Sequence, residues 1–190
     1  MNNLKYSKCK VCKTEYIKSR PLQVVCNYEC ASQLSKNISE KIKAKAQKED
    51  RKATLKKLDE MKTKPQLTKL AQTAFNAFIR TRDAGKPCIS CGTQLSNEPN
   101  TYDAGHYRSV GSAPHMRFVE DNCHGQCKHC NRHLAGNHVE YRKRLIERVG
   151  IQAVESIESD KVTRKYTHDG LREIARHYNA EAKKLKCIND

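Results

Sequence analysis

The chain has 190 residues, 37% of them hydrophobic and none of them Trp, so it has little material for a large core. Lys and Arg outnumber Asp and Glu 37 to 21, and the formal net charge of +16 favours a polyanionic partner, nucleic acid first. No stretch approaches the roughly 18 apolar residues of a membrane span, and the first residues have no apolar leader, so we expect a cytoplasmic protein without membrane contact.

Eight of the ten cysteines fall into two groups that have the spacing of metal ligands. They are Cys9, Cys12, Cys26 and Cys30, then Cys88, Cys91, Cys127 and Cys130. Zinc prefers four such ligands in a tetrahedron, and a Cys-x-x-Cys turn supplies two of them. Because a secretion signal is not evident, metal binding is favoured over disulfides. The sequence predicts two structural zinc sites, and leaves Cys123 and Cys187 as ordinary thiols.

The first predicted element is an N-terminal zinc module at residues 1–33. Apolar residues between its cysteine pairs, from Tyr16 to Val25, suit a short hairpin packed on the metal. A helix is expected to begin near Ser32. Whether the module only supports the fold or also contacts DNA stays open at this point.

Residues 34–64 predict a basic helical linker, with eleven Lys or Arg and five Asp or Glu. Its apolar spacing lapses between Lys43 and Thr54, which favours a mostly solvated helix over a long coiled coil. The helix is long enough to lie along a DNA backbone, where Lys43, Lys45 and Lys52 are the candidate contacts, or to space two modules. A charge run is as often simply a solvated face.

A zinc-stapled domain is predicted for residues 65–150. Apolar residues at helical spacing predict a helix over residues 66–82, with its stripe facing the core. A turn containing Asn97 and Pro99 comes next, followed by strands at residues 102–107 and 116–119 and a short helix opened by Asn131. Further helices at residues 139–149 and 167–185 are expected to complete the hydrophobic cover or a dimer contact, the second within a C-terminal region at residues 151–190. The predicted fold class is α+β and mainly helical.

One histidine and two asparagines in this domain are not needed as zinc ligands. Phosphodiester hydrolysis needs an activated water and stabilised phosphoryl charge. A neutral imidazole can deprotonate water near neutral pH, so His106 is the candidate general base. Asn131 offers an oxygen ligand to a hard cation, Mg²⁺ or Mn²⁺. Asn122 is expected to hold the histidine segment by hydrogen bonds.

The ordered motifs resemble two related groups of proteins. A Cys-x-x-Cys knuckle, a strand-borne His106 and an Asn131 directly after the last cysteine resemble the zinc-stapled HNH (ββα-metal) nucleases of the endonuclease VII type. More closely, the strings from Asn76 to Arg80, Pro87 to Thr93 and Asp103 to Arg108 resemble the NinG (Rap) recombination proteins of lambdoid phages. The resemblance implies an endonuclease of phage recombination that cuts Holliday junctions and D-loops in the host cytoplasm, with other recombination proteins among its partners.

The chain departs from the wider HNH pattern at one position. Many HNH members place an Asp metal ligand directly before the histidine, whereas this chain has Gly105 there. Asp103 is the next candidate ligand, but three residues along a strand place side chains on opposite faces, so a bend at Ala104 and Gly105 is required. Without that bend, a water or a histidine must replace the carboxylate.

Several further side chains are weaker candidates for the site. His124 and His138 are possible replacement ligands, and His133 is placed on the wrong face of the short helix. Arg108 and Arg117 flank the site and could clamp a phosphate, or could be ordinary solvated arginines.

Two classes of function therefore compete. One is a metal-dependent endonuclease acting on branched DNA, with duplex DNA as an alternative substrate; the other is a noncatalytic zinc protein that binds nucleic acid. Because resolving a four-way junction takes two nicks, we expect a homodimer with one site in each copy.

Overall fold

The computed structural model describes residues 6–96, 98 and 100–189, so the expected turn at Asn97 and Pro99 lies outside the described residues. The chain divides into two units, Met1–Met61 and Lys62–Asp190. Among these described residues helices predominate, and each unit contains a two-stranded sheet, which confirms the mainly helical α+β class. None of the helices in the described part is long and apolar enough to cross a membrane. The predicted domain boundaries stay predictions.

The sheet of the first unit frames the first Cys-x-x-Cys pair. Strands β1 (Tyr6–Lys8) and β2 (Glu15–Ile17) run antiparallel, with Tyr6 opposite Ile17. The predicted hairpin between the two cysteine pairs is therefore wrong: one strand precedes the first pair. Leu22, expected to pack on the metal, is 91% exposed. Few residues surround the four cysteines of this unit. The apolar residues between the two cysteine pairs therefore do not decide which segments pair as strands.

Helix α1 (Tyr28–Glu60) follows at once and is 33 residues long. It begins earlier than the expected Ser32, because the Asn27 side chain accepts a hydrogen bond from the Cys30 N–H at 2.8 Å and caps the helix. The helix has no buried residue, which confirms the prediction of a solvated helix. At about 1.5 Å per residue it is about 50 Å long.

The second unit is built on two long helices, α2 (Lys64–Arg82) and, later in the chain, a C-terminal helix at His168–Asn189. Thr63 and Gln66 form a capping box at the start of α2. The predicted stripe of α2 is buried apart from Leu70, which is 44% exposed. Phe75 packs edge to face against Tyr178 of the C-terminal helix, with ring centroids 4.9 Å apart. The C-terminal helix therefore completes the hydrophobic cover.

Between these helices lies the second sheet, formed by β3 (Tyr102–His106) and β4 (Cys123–Cys127). The first of these strands was predicted and the second was misplaced. The expected strand at residues 116–119 is wrong, because Pro114–Met116 forms a 3₁₀ turn, as does Glu120–Asn122. The short helix expected from Asn131 is a π-helical segment at His129–His133.

Two shorter helices cover the other side of this sheet. Helix α3 (His138–Val149) confirms a predicted element and ends at Gly150, whose φ of +87° favours glycine. Helix α4 (Ile151–Ser159), which was not predicted, follows directly. Tyr141 is fully buried and packs with Ile89 and Val154. With α4 in place, the C-terminal helix is α5.

A buried carboxylate joins α2 to the sheet and α3. Asp83 is 1% exposed, and its side chain accepts two hydrogen bonds from Arg82, at 3.0 and 2.9 Å, and one from the Gly125 N–H at 2.8 Å. Lys86 lies 3.2 Å away and Arg148 3.8 Å away. Burial raises the pKa of this carboxyl, but the neighbouring His124 ring and the Arg82 guanidinium hold it well below its usual range.

Candidate functional site

The first cysteine quartet closes around the start of α1. Cys9 follows β1 and is buried, while Cys30 lies in the first turn of α1. The Sγ atoms of Cys12 and Cys26 are 3.5 Å apart, and those of Cys26 and Cys30 are 3.7 Å apart. All four sulfurs lie within 4.8 Å of one another.

The second quartet ties the loop after α2 to the end of the sheet. Cys127 ends β4, and Cys130 lies in the π-helical segment. The Sγ atoms of Cys91 and Cys127 are 3.8 Å apart, and the Cys127 N–H donates to the Sγ of Cys88 at 3.3 Å. Burial raises the pKa of the Cys91 thiol, but hydrogen bonds from Thr93, Cys88 and Cys130 together lower it to about 6.

Both quartets fit a zinc ion. In a tetrahedral site with Zn–S bonds of about 2.3 Å, the sulfurs lie roughly 3.8 Å apart. The predicted grouping of eight cysteines into two candidate metal sites is confirmed. Cys123 and Cys187 belong to neither quartet. A zinc ion would cross-link segments that bury little apolar surface of their own.

The strand pairing decides which candidate catalytic side chains meet. Strands β3 and β4 pair in regular register from Tyr102 opposite Cys127 to His106 opposite Cys123. The expected bend at Ala104 and Gly105 is therefore wrong. Because side chains alternate along a regular strand, Asp103 and His106 lie on opposite faces.

The imidazole of His106 lies on the face that packs against α2. Its ring centroid is 6.0 Å from that of Phe75, and its Nε2 lies 3.0 Å from the backbone carbonyl of Arg117. A carbonyl only accepts, so Nε2 carries the proton and Nδ1, 3.6 Å from the Sγ of Cys123, has the lone pair. Burial lowers the pKa of His106, which keeps it neutral at physiological pH.

The two proposed cation ligands do lie together, on the other face. The Asn131 side-chain nitrogen donates to Asp103 at 3.0 Å. Arg132 also holds both oxygens of this carboxylate, at 2.7 and 2.8 Å. Besides the two quartets, the described residues gather no third group of three His, Cys, Asp or Glu side chains around one point. This arrangement does not fit a hard divalent cation, since a guanidinium and an amide nitrogen take the oxygens a cation would use.

A steric contact explains why position 105, directly before His106, is a glycine. A Cβ at Gly105 would overlap Oε1 of Gln126. Gln126 is fully buried and donates to the Ser90 hydroxyl and the Gly136 carbonyl, both at 2.6 Å. Its amide fills the space into which any side chain at position 105 would project, so an Asp does not fit there without a shift of Gln126.

Asn122 is fully buried and connects the segment after His106 to the following loop. Its Oδ1 accepts from the Arg108 N–H at 2.8 Å, and its Nδ2 donates to the carbonyls of Arg108 and Met116, at 3.1 and 3.3 Å. These bonds are of the kind expected of a residue that positions the histidine segment.

The basic candidates differ in what they contact. NH1 of Arg108 donates to the carbonyls of Ile157 and Asp160, at 2.8 and 2.6 Å, and so caps the end of α4. Lys43, Lys45 and Lys52 are exposed on α1. DNA contact by these four residues stays a prediction.

Arg117 faces a groove along α2. Its NH1 donates to Gln72 Oε1 at 3.1 Å, and Gln72 donates in turn to Asn76 at 2.7 Å. Gln72, Asn76 and Arg132 are not among the site residues that the sequence predicts. The polar i, i+4 spacing of the first two on α2 was an available signal, whereas no local pattern connects Arg132 to Asp103.

The replacement histidines do not supply a ligand beside Asp103 and Asn131. His124 is 3% exposed, and its Nδ1 lies 3.0 Å from Arg82 and 3.7 Å from Asp83. His133 stacks near His129, with ring centroids 5.9 Å apart. His138 lies at the start of α3 near Tyr107, with ring centroids 6.2 Å apart.

The two cysteine quartets and the net charge of +16 define a small basic protein with two candidate zinc centres. A family model described as "Bacteriophage Lambda NinG protein" matches residues 1–187, and the chain belongs to that family. It is 40% identical to Protein ninG of Escherichia phage 933W over 94% of this chain and 93% of that protein. It is 50% identical to Protein ninG of Salmonella phage P22 over 62% of this chain, a match that spans 57% of the relative. No solved structure matches.

Proposed function

We propose that this chain is an endonuclease that acts on branched DNA during phage recombination, with His106 as its general base. The net charge of +16 favours a nucleic-acid partner. The resemblance to HNH nucleases adds the reaction class, and the resemblance to NinG (Rap) proteins adds the branched substrate. The homodimer and the divalent cation belong to the same proposal.

The observation that carries the proposal is the state of the His106 imidazole. It is neutral, and the Arg117 carbonyl fixes its orientation and its tautomer. A general base needs a ring nitrogen with a free lone pair to take the proton of the attacking water, and Nδ1 is the nitrogen that has the lone pair here. Because Asp103 and Asn131 as arranged do not fit a hard cation, no step of the reaction is assigned to a cation bound by them.

One observation favours the noncatalytic alternative. Asp103 and His106 lie on opposite faces of the sheet, and Nδ1 of His106 faces the Cys123 thiol rather than open solvent. A zinc-stabilised DNA-binding protein needs neither convergence nor an accessible base. The two candidates differ in one readout, the cutting of DNA.

Replacing His106 by Gln tests the proposal. The glutamine amide can still donate to the Arg117 carbonyl but cannot accept a proton near neutral pH. We expect junction binding within about twofold of wild type and cleavage reduced by about 10² to 10⁴, the usual contribution of a general base. Binding is measured by fluorescence anisotropy and cleavage on a labelled four-way junction in a gel.

His177→Gln is the matched control, because His177 is exposed on α5. It should cut at the wild-type rate. If His106→Gln also cuts at that rate, the base is another residue. A wild-type protein that binds the junction without cutting it favours the noncatalytic alternative.

A further inference from the structure

An open groove of about 610 Å³ runs along the exposed side of α2 in the second unit. Its lining includes Lys64, Thr68, Lys69, Gln72 and Asn76 of α2, and Arg117 from the loop before β4. No carboxylate lines it. The groove is therefore cationic, with amide and hydroxyl groups between the charges.

Arg117 differs from Arg82 and Arg142, which are also partly buried, in having no carboxylate partner in the described part of the chain. Arg82 and Arg142 contact Asp83 and Glu158 at 2.9 and 2.7 Å. Within the described ranges, Arg117 has no ion pair, and its side-chain partner is the neutral amide of Gln72 at 3.1 Å. Burial removes water from the charged guanidinium, and no carboxylate among the described residues replaces the hydrogen bonds that it loses. Burial therefore lowers the pKa of Arg117. An anion from outside the chain would complete its contacts.

We propose that this groove binds the sugar-phosphate backbone of DNA and that Arg117 contacts a phosphate there. The inference rests on the proposed function in taking DNA as the ligand. The lining from Lys64 to Asn76 covers thirteen residues of helix, and the twelve rises between them span roughly 18 Å at about 1.5 Å each. That length matches about five nucleotides at 3.4 Å per step of one strand, so the groove suits a chain of phosphates better than one small anion.

The groove also reaches the proposed catalytic histidine through one residue. The Arg117 carbonyl contacts His106 at 3.0 Å, while the Arg117 guanidinium lines the groove. Asn76 holds Gln72, and Gln72 holds the guanidinium, so the arginine is oriented before DNA arrives. A phosphate bound by Arg117 would bring the DNA strand close to the His106 segment.

The experiment is junction binding over a salt series, with wild type, Arg117→Ala and Gln72→Glu. We expect Arg117→Ala to bind about tenfold more weakly and to lower the slope of log K against log salt by about one, as for one lost phosphate contact. Gln72→Glu keeps the shape but places a carboxylate against the guanidinium. It should weaken binding similarly while its melting temperature stays at or above that of wild type.

The matched control is Arg176→Ala, which removes the same charge from an exposed position on α5. It should bind within about twofold of wild type. Wild-type binding that is unchanged by Arg117→Ala and Gln72→Glu overturns the groove assignment and leaves the proposed function intact. Absence of DNA binding by wild type overturns the proposed function itself. Full competition by millimolar inorganic phosphate at constant ionic strength would make the groove a site for free phosphate and also overturn the assignment.

Discussion

Replacing Cys127 by Ser is expected to unfold the second unit and to reduce the bound zinc from two ions to one. Cys127 connects the end of β4 to the knuckle at Cys88, whose Sγ accepts the Cys127 N–H at 3.3 Å. The apolar cluster here is small, with Leu95 and Tyr102 beside the cysteines. Structural zinc contributes about 10–16 kcal/mol to folding in small domains, as much as the whole stability of a typical domain.

Circular dichroism and metal analysis of the purified variant measure this result. Cys187→Ser is the control, because Cys187 is exposed and lies outside both quartets, and it should keep two zinc ions and the wild-type melting temperature. A Cys127→Ser protein with native-like dichroism and a cooperative melt would show that this quartet is dispensable for the fold.

The second large effect is expected for Asp83→Asn, which should destabilise the second unit by about 3–5 kcal/mol. The carboxylate is 1% exposed and accepts from Arg82 and the Gly125 N–H. Removing its charge leaves Arg82 and Lys86 without their shared anion. The amide would also direct N–H donors at other donors.

The effect of Asp83→Asn should depend on pH with a definite sign. Because the folded pKa of Asp83 lies below the unfolded value of about 3.9, its stabilisation is complete above that value and is lost as the pH falls towards the folded pKa. Urea unfolding should therefore give a constant gap between wild type and variant from about pH 5 to 7, and a smaller gap below about pH 4. Asp169→Asn, at a 94% exposed side chain, should cost under about 1 kcal/mol. An equal loss in both variants would contradict the role of burial.

The elements that the sequence predicts are those in which one local pattern decides the structure. The apolar spacing of Leu67, Ala74 and Phe78 predicts α2, and the same periodicity in Leu171 and Tyr178 predicts α5. The spacing of the cysteines predicts two metal quartets, since each pair folds on its own knuckle. In these cases the buried stripe of a helix, or one pair of metal ligands, is encoded by residues that lie close together in the chain.

The missed features depend on partners far away in the chain. β4 has the sequence Cys-His-Gly-Gln-Cys, which has little intrinsic strand preference, and it forms through pairing with β3 and the sulfur ligand at Cys127. The hydrogen bonds from Arg132 to Asp103 join residues 29 positions apart in the chain. The Arg108 contact to Ile157 of α4 joins residues 49 positions apart. The alternation rule placed Asp103 and His106 on opposite faces, and the regular register of β3 follows that rule. The bend was required only by the expected ligand set.

The central claim is that the chain cuts branched DNA, and side-by-side cleavage of labelled four-way junction, D-loop and plain duplex tests it most directly. Each substrate is incubated with wild-type protein in Mg²⁺, in Mn²⁺ and in EDTA. The account predicts cutting of the junction and the D-loop in at least one of the two cations, slower cutting of the duplex, and none in EDTA. Tight binding to all three substrates without a cut in either cation would contradict the account and leave a zinc-stabilised DNA-binding protein.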